Sequence, residues 1–426
     1  MTPSPSPRFA VGLILLAAMA CGEKNVERVE LESTTTRTPE SPESDDTEPV
    51  AETIEAVTLW IGGDVMSSAQ IRDAAAAAAT PAAGIAAMFE ALSPLWQAPG
   101  HFVMVNLETP TTAQRRLAYQ DGAPSRGRYT AVRLNAPPYL AEGLRLAGVD
   151  AVSLANNHAL DQGHEGLGET IEHARAAGLV VSGAGRSPQN HWPMTLGAGE
   201  TELSVFNFYD APRRARPSAG ERSLALVGEG AFESVDACRS AYTVVVVHVL
   251  GELVHEVDDE WRVWAERFAD AGASAIIVHG THVPMAVERW QRNDHEVIVA
   301  WGLGNLLTDM GRMASPRRTV TAKINDPETR EGLLARITAS VDGLDVAFLP
   351  VFETDDRFIR WHGSMPPGES TFWLRPLTAC DPAVELPRSW PEPYRTEYAD
   401  WLTLRRAHMV RATGLRSEDC PSSLLR

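Results

Sequence analysis

Six short apolar runs recur along the chain, and each of them stops at residues with hard donor atoms. The runs are Val57–Ile61, Phe102–Leu107, Ala151–Ala155, Thr243–Val247, Ala275–Val278 and Val297–Ala300. Runs of four to six residues, rich in Val and Ile, predict strands buried on both faces. Helical stretches separate them. Arg72–Ala79 leads towards Ala86–Leu92, and Pro138–Ala147, Gly166–Ala177 and Glu260–Ala271 follow. The last three stop at Gly148, Gly178 and Gly272, where a glycine can take up the left-handed conformation of a helix cap. This alternation specifies an α/β fold with buried sheets. The chain shows no internal repeat.

Charge and cysteine content narrow the function classes. The 426 residues carry 38 basic and 56 acidic side chains, a formal net charge of −18. Such a surface repels phosphate backbones, so no nucleic-acid partner is expected. Four cysteines exclude a miniature fold built on disulfides. No apolar run in the body of the chain is long enough to span a bilayer.

The N-terminus reads as an address. Arg8 precedes an apolar stretch from Phe9 to Ala20, and small residues lead up to Cys21. That is the layout of a secretory signal peptide over residues 1–21, with Cys21 where a bacterial lipoprotein carries its lipid. An ordinary signal peptide with an incidental cysteine is the alternative. A lipidated Cys21 anchors the mature chain to a membrane at the cell envelope, on the periplasmic face or the outer membrane. Residues 22–55 hold eleven acids and three bases, −8 of the −18. They read as a solvated acidic linker that keeps the domain away from the lipid surface.

Polar chemistry collects where the strands end. Asp64 follows the first run. Asn106 and Glu108 close the second, and Asn156, Asn157, His158 and Asp161 follow the third. His248 and Glu252 come after four consecutive valines, His279 and His282 after Ala275–Val278, and Asn305 after the last. Ligand sites of α/β proteins lie at one rim of the sheet, outside the strand ends. Carboxylate, amide oxygen and imidazole without thiolate are the donors of a hard or borderline metal centre. Two divalent ions sharing a carboxylate fit this inventory. Each signal taken alone has an ordinary reading: Asp64 as a turn residue, Glu108 as a cap, Asn-Asn-His as a bonded loop, His248 as a core histidine. Their recurrence at one structural phase favours the site.

Three blocks carry a resemblance. Gly-Gly-Asp-Val-Met at 62–66, Val-Asn-Leu-Glu-Thr-Pro-Thr-Thr at 105–112 and the stretch at 147–163 that contains Ala-Asn-Asn-His-Ala-Leu-Asp resemble the CapA-type capsule-synthesis family. Shorter matches are Gly183-Ala184-Gly185, Asp270-Ala271-Gly272-Ala273 and Gly302-Leu303-Gly304-Asn305. The resemblance covers about Val57 to Asp309. It implies a calcineurin-like metallophosphoesterase fold, a layered α/β sandwich with buried mixed sheets, and a part in poly-γ-glutamate capsule production.

The resemblance also implies roles. Asp64, Glu108, Asn157, His248, His279 and His282 become metal ligands, with Glu108 bridging. His158 faces the substrate or leaving group, and Asp161 orients it. Asn106, Asn156, Glu252 and Asn305 are the candidates for substrate contact. The family's His-Trp-Gly is here His248-Val249-Leu250, which keeps the imidazole and loses the aromatic wall. The family's His-His/Ser-Pro-His is here His279-Gly280-Thr281-His282, which keeps the outer pair. Met66 stands where many phosphoesterases carry a histidine.

Two functions follow as expectations. One is a metal-dependent hydrolase of a phosphoester or a γ-linked amide in an envelope polymer. The other is a non-catalytic component of a capsule synthesis complex that binds an anionic polymer. For the second, Arg213, Arg214, Arg216 and Arg222, or Arg115, Arg116, Arg126 and Arg128, would supply basic loops. The main domain is expected over 56–355, with 356–426 as an extension packed on it. In that extension the prolines at 366–367 and between 387 and 393 break the chain. Glu397–Arg411 reads as a helix with Trp401, Leu404 and Met409 towards one side. Outside the cytosol Cys380 and Cys420 are candidates for a disulfide, which leaves Cys238 reduced and buried.

Overall fold

The valine run shows how the layers are made. Val244 and Val246 point into one apolar cluster, Val245 and Val247 into another. A strand turns successive side chains to opposite faces, so a run of four valines serves two cores at once. The structure, a computed structural model, describes residues 56–113, 133–185, 193–211, 223–292, 295–318, 320, 322–361, 372–376, 386 and 390–416. The expected signal peptide, Cys21, the acidic linker, both arginine-rich stretches, Cys380 and Cys420 lie outside the described residues.

Two mixed sheets stack face to face. The first contains β1 (Ala56–Val65), β2 (His101–Leu107), β3 (Ala151–Ser153) and β4 (Val180–Ser182), all parallel. The second contains β5 (Met194–Leu196), β6 (Leu203–Asp210), β7 (Tyr242–Val249), β8 (Ala275–His279), β9 (Val287–Arg292) and β10 (His295–Ala300), in the order β5-β6-β7-β8-β10-β9. Here β6, β7, β8 and β10 run parallel. Next comes β11 (Asn305–Leu307), which joins the first sheet beside the end of β1. The antiparallel strands β12 (Glu331–Ser340), β13 (Gly343–Asp355) and β14 (Phe372–Pro376) extend that sheet beyond β1.

Helices cover both outer faces. On the first sheet lie α1 (Ala69–Ala76), α2 (Pro81–Met88), α3 (Ser93–Trp96), α4 (Tyr139–Ala147) and α5 (Gly163–Ala176). On the second lie α6 (Glu229–Asp236) and α7 (Asp259–Asp270). Between the sheets Val57, Leu59, Ile61, Phe102 and Met104 meet Leu203, Val205, Val244, Val246 and Ile277. The result is the expected layered α/β sandwich. Gly148, Gly178 and Gly272 have φ of +98°, +84° and +100°, as helix stops in the left-handed region require. The first two helices begin earlier than their apolar residues suggest. Ser68 caps α1 through the Ile71 N–H, and Thr80 caps α2 ahead of Pro81, which are the ordinary start signals.

After β13 come α8 (Arg357–Trp361) and α9 (Glu392–Thr413). The second is longer than Glu397–Arg411, because Pro393 falls in its first turn, where a missing N–H costs nothing. Its buried side is Tyr398, Leu402, Met409 and Thr413, while Leu404 is 67% exposed. The expected apolar side was therefore misplaced around the helix at that residue. Cys238 is half-buried rather than buried, with its sulfur 3.7 Å from Ser240 Oγ.

A buried polar knot ties α9 to β13. Arg330 Nη2 reaches the Tyr398 hydroxyl at 3.3 Å and Asp355 Oδ2 at 3.2 Å, and Arg330 Nε donates to the Glu353 carbonyl. The Glu353 side chain accepts the Thr308 N–H at 2.6 Å through Oε2, and its Oε1 has no partner among the described residues. Burial pushes the Glu353 carboxyl up to about 8, against the opposing pull of Arg330, the Thr308 N–H and Arg357. An acid raised in the fold contributes stability in full below its unfolded value near 4.5, and that stability is lost as pH rises through about 8. Urea unfolding of the wild type should therefore weaken by a few kcal/mol between pH 5 and 9. Glu353→Gln should lose much less over the same range. Parallel pH slopes for the two proteins would count against this assignment.

Candidate metal centre

A β-bulge aims the first carboxylate. Along β1 the residues 57, 59 and 61 face the inter-sheet core, so an unbroken strand would turn residue 64 towards the helices. The β1–β2 register slips between Gly62 and Asp64, where Gly63 is the extra residue, and Asp64 comes to lie opposite Asn106. A bulge re-aims side chains in this way. It is possible because Gly63 has no Cβ: one built there would stand 2.1 Å from the Gly304 carbonyl oxygen. The Gly-Gly-Asp block is thus a physical requirement for placing Asp64 in the cleft.

Two rows of side chains then face each other at the strand ends. In the first sheet Asp64 is in register with Asn106 on β2 and with Asn305 on β11. In the second sheet His248 is in register with His279 on β8 and with Tyr209 on β6. Glu108 follows β2, and the loop after β3 delivers Asn156, Asn157 and His158. The loop after β8 delivers His282 in a left-handed conformation, φ +58°. Strained backbone of this kind persists where its surroundings fix it. Gly280, also left-handed, sends its N–H to Asp64 Oδ2 at 3.1 Å.

Glu108 is the focus. It is fully buried, and neither carboxylate oxygen has a hydrogen-bond partner among the described residues. Three imidazole nitrogens surround its Oε1: His248 Nε2 at 3.6 Å, His282 Nε2 at 3.8 Å and His158 Nε2 at 3.9 Å. These distances are too long for hydrogen bonds. They suit donors that share a cation. Asp64, Glu108 and His282 each place one donor atom within 4.8 Å of the other two, the one such grouping among the described residues. A buried carboxylate without partners needs an explanation, and an ion meets it. The donor set of carboxylate and imidazole fits a divalent metal.

Neighbouring polar groups orient these donors. His282 Nδ1 lies 3.0 Å from Asn305 Oδ1 and 3.2 Å from Asp64 Oδ2, which turns Nε2 towards Glu108. Asn305 is itself fixed by donating to the carbonyls of Thr329 and His282. Asn106 donates to Asp64 Oδ1 at 2.8 Å and accepts from Asn156 Nδ2 at 3.1 Å. Asn156 also donates to the Leu107 carbonyl and accepts the His158 N–H. Asn106, Asn156 and Asn305, expected at the substrate, therefore spend their side chains on bonds inside the fold. Asn157 Oδ1 is 2.8 Å from His248 Nε2. His279 lies outside the Asp64–Glu108–His282 group and completes no well-directed hydrogen bond through either ring nitrogen. Glu252 is exposed at the rim, where its charge is felt by Glu108 and His282. Asp161 Oδ2 meets His158 Nδ1 at 2.7 Å and also accepts the Leu134 N–H.

The electrostatics are those of a charge cluster out of water. Burial pushes Asp64 upward, yet the hydrogen bond from His282 and the charges of His282, His248 and His279 carry it well below the carboxylate range. Burial raises Glu108 to about 7, despite the attraction of His282. Burial also draws His248 down to about 3, despite the attraction of Asp64, and lowers His279 against Asp64 and the Gly62 carbonyl. On His282 burial is outweighed by Glu108 and Asp64, and its pKa stands at about 10. On His158 burial is likewise outweighed, by the Asp161 hydrogen bond and the charges of Glu108 and Asp161, and the net shift is upward.

Tyr209 escaped the sequence reading. Its ring stands edge-on to His248, with centroids 6.0 Å apart. The available signal was the parity of β6, in which Leu203 and Val205 face the inter-sheet core and residue 209 shares their phase.

A family model described as bacterial capsule synthesis protein PGA_cap matches residues 58–310, more than half of the chain. The "Capsule biosynthesis protein CapA" of Bacillus anthracis is 22% identical over 266 residues, 60% of this chain and 61% of that protein. The "PGA biosynthesis protein CapA" of Bacillus subtilis (strain 168) is 24% identical over 262 residues, 58% of this chain and 62% of that protein. The match thus spans about three fifths of each relative's length.

Proposed function

The chain belongs to the bacterial capsule synthesis protein family PGA_cap, and on that premise we propose that it is a metal-dependent hydrolase acting on an envelope polymer. The substrate class is a phosphoester or a γ-linked amide of an anionic polymer such as poly-γ-glutamate. The observation that carries this reading is Glu108, buried with both oxygens unpartnered among the described residues and ringed by three imidazoles. A group held only for stability would be hydrogen-bonded.

In this reading Asp64, Glu108 and His282 would hold one divalent cation, and Asn157 and His248, with His279 beside them, would supply donors for a second. When bound, such cations lower the pKa of water and neutralise an anionic substrate. The chain's own residues do the rest. Asp64 and Asn305 fix the tautomer and direction of His282. Asp161 accepts from Nδ1–H of His158 and favours the imidazolium, whose Nε2–H, turned towards the cleft, is the proton offered to the leaving group. Glu252 at the open rim stands where a polymer would enter. We place the protein at the cell envelope, tethered through a lipid on Cys21 and the acidic segment after it, and working within a capsule synthesis complex.

The test is hydrolysis of an aryl phosphodiester and of a γ-glutamyl peptide by the full chain supplied with Mn²⁺ or Zn²⁺. Turnover that falls at least a hundredfold in His158→Ala, with metal content unchanged, supports the reading. Metal uptake without turnover of either substrate removes the hydrolase and leaves a metal-stabilised polymer-binding component.

A further inference from the structure

The row on the second sheet has three members, of which the roles above use two. Tyr209, His248 and His279 occupy the same register position on the adjacent parallel strands β6, β7 and β8. Neighbouring residues at one register of a parallel sheet project to the same face. The phase that brings both imidazoles into the cleft therefore brings the phenol there too. Tyr209 is 7% exposed, and its ring belongs to the apolar cluster that contains Ala155, Ala184 and Leu224. That packing holds the ring beside His248.

The Tyr209 ring meets His248 edge-on, and its phenol lies close enough to the cleft for Glu108 to act on it. A phenol is a neutral hydrogen-bond donor through the physiological range. A donor beside a metal-binding carboxylate is suited to an anion that arrives with or between the cations.

We propose that Tyr209 is a substrate-contacting residue of the cleft, whose hydroxyl donates a hydrogen bond to a phosphoryl oxygen of the substrate. This rests on the metal-cleft reading above and narrows it from two substrate classes to one. The phosphoryl group is favoured because its oxygens are tetrahedral and share one negative charge, so one can face the cations while another accepts from the phenol. A hydrogen bond to a charged group is worth roughly 1.5–3 kcal/mol, or about tenfold to a hundredfold in affinity.

The experiment measures the affinity of inorganic phosphate for the Mn²⁺-loaded full chain, by calorimetry, for wild type and Tyr209→Phe. The substitution removes one oxygen and keeps the ring that packs the cluster. The expected result is binding weakened about tenfold to a hundredfold, with Mn²⁺ content unchanged by elemental analysis. Equal phosphate affinities in the two proteins would overturn the proposal, as would a wild type that takes up metal and binds no phosphate at millimolar concentration. A wild type that takes up no metal defeats the metal reading instead. The Tyr209 arm is then decided by phosphate binding to the metal-free proteins, where equal affinities overturn it as well.

Discussion

Glu108→Gln is expected to abolish metal uptake and at the same time to make the metal-free protein more stable. The carboxylate is fully buried and makes no hydrogen bond among the described residues. Burial outweighs the attraction of His282, and the pKa rises to about 7. An acid raised in the fold contributes its stability below its unfolded value near 4.5 and loses it as pH rises through about 7. The neutral amide of the same shape escapes that loss. The gain should be small at pH 5 and largest above pH 7. A gain of one to three kcal/mol in a domain of this size raises the melting temperature by roughly 2–8 °C. This is the stability–function trade-off expected where a site holds charge for a ligand. Calorimetric melting of the chelator-treated proteins at pH 8, with Mn²⁺ titration of each, measures both halves. A variant that melts lower than wild type, or that still takes up metal with wild-type affinity, contradicts the assignment of Glu108.

Gly63→Ala should be the most damaging single-methyl change in the first sheet. The new Cβ would stand 2.1 Å from the Gly304 carbonyl oxygen, a backbone atom that cannot swing aside. Gly304 is itself left-handed at φ +68°, and its N-terminal neighbour Leu303 is bonded to Leu333 of β12. Relief therefore requires β1 and the turn before β11 to part, which breaks the bulge and turns Asp64 out of the cleft. A loss of about 3 kcal/mol or more in unfolding free energy is expected, with loss of metal binding. Gly230→Ala provides the contrast. It lies in α6 with nothing within 4 Å of an added Cβ, and alanine there should stabilise by roughly 0.5–1 kcal/mol. Urea midpoints that coincide for the two variants would show the bulge to be slack.

Much of this centre was legible because hydrophobic period and strand ends are local signals. The runs at 57–61, 102–107, 243–247 and 275–278 became β1, β2, β7 and β8, and the donors after them sit at one rim. The non-local parts were not legible. Nothing in Glu331–Ser340 or Gly343–Asp355 says that these strands pair beside β1, because pairing order is fixed by which edges remain open once the sheets stack. Asn106, Asn156 and Asn305 look like substrate contacts in a sequence. Only the fold shows their amides bonded to Asp64, Leu107, Thr329 and His282. The start of α9 was hidden by reading Pro393 as a breaker when it occupies the first turn. Tyr209 was hidden because it follows Phe206 and Phe208 and reads as one more core aromatic, so its phase mattered more than its residue type.

Direct measurement of metal in the protein decides most. The full chain, stripped with chelator and titrated with Mn²⁺ or Zn²⁺ while its fold is followed by circular dichroism, should take up tightly bound ion. Asp64→Asn and His282→Ala should each weaken that uptake by at least a hundredfold with the fold intact. A folded wild-type chain that binds neither metal at millimolar concentration, or variants that bind as well as the wild type, would contradict the assignment of this cleft as a metal centre.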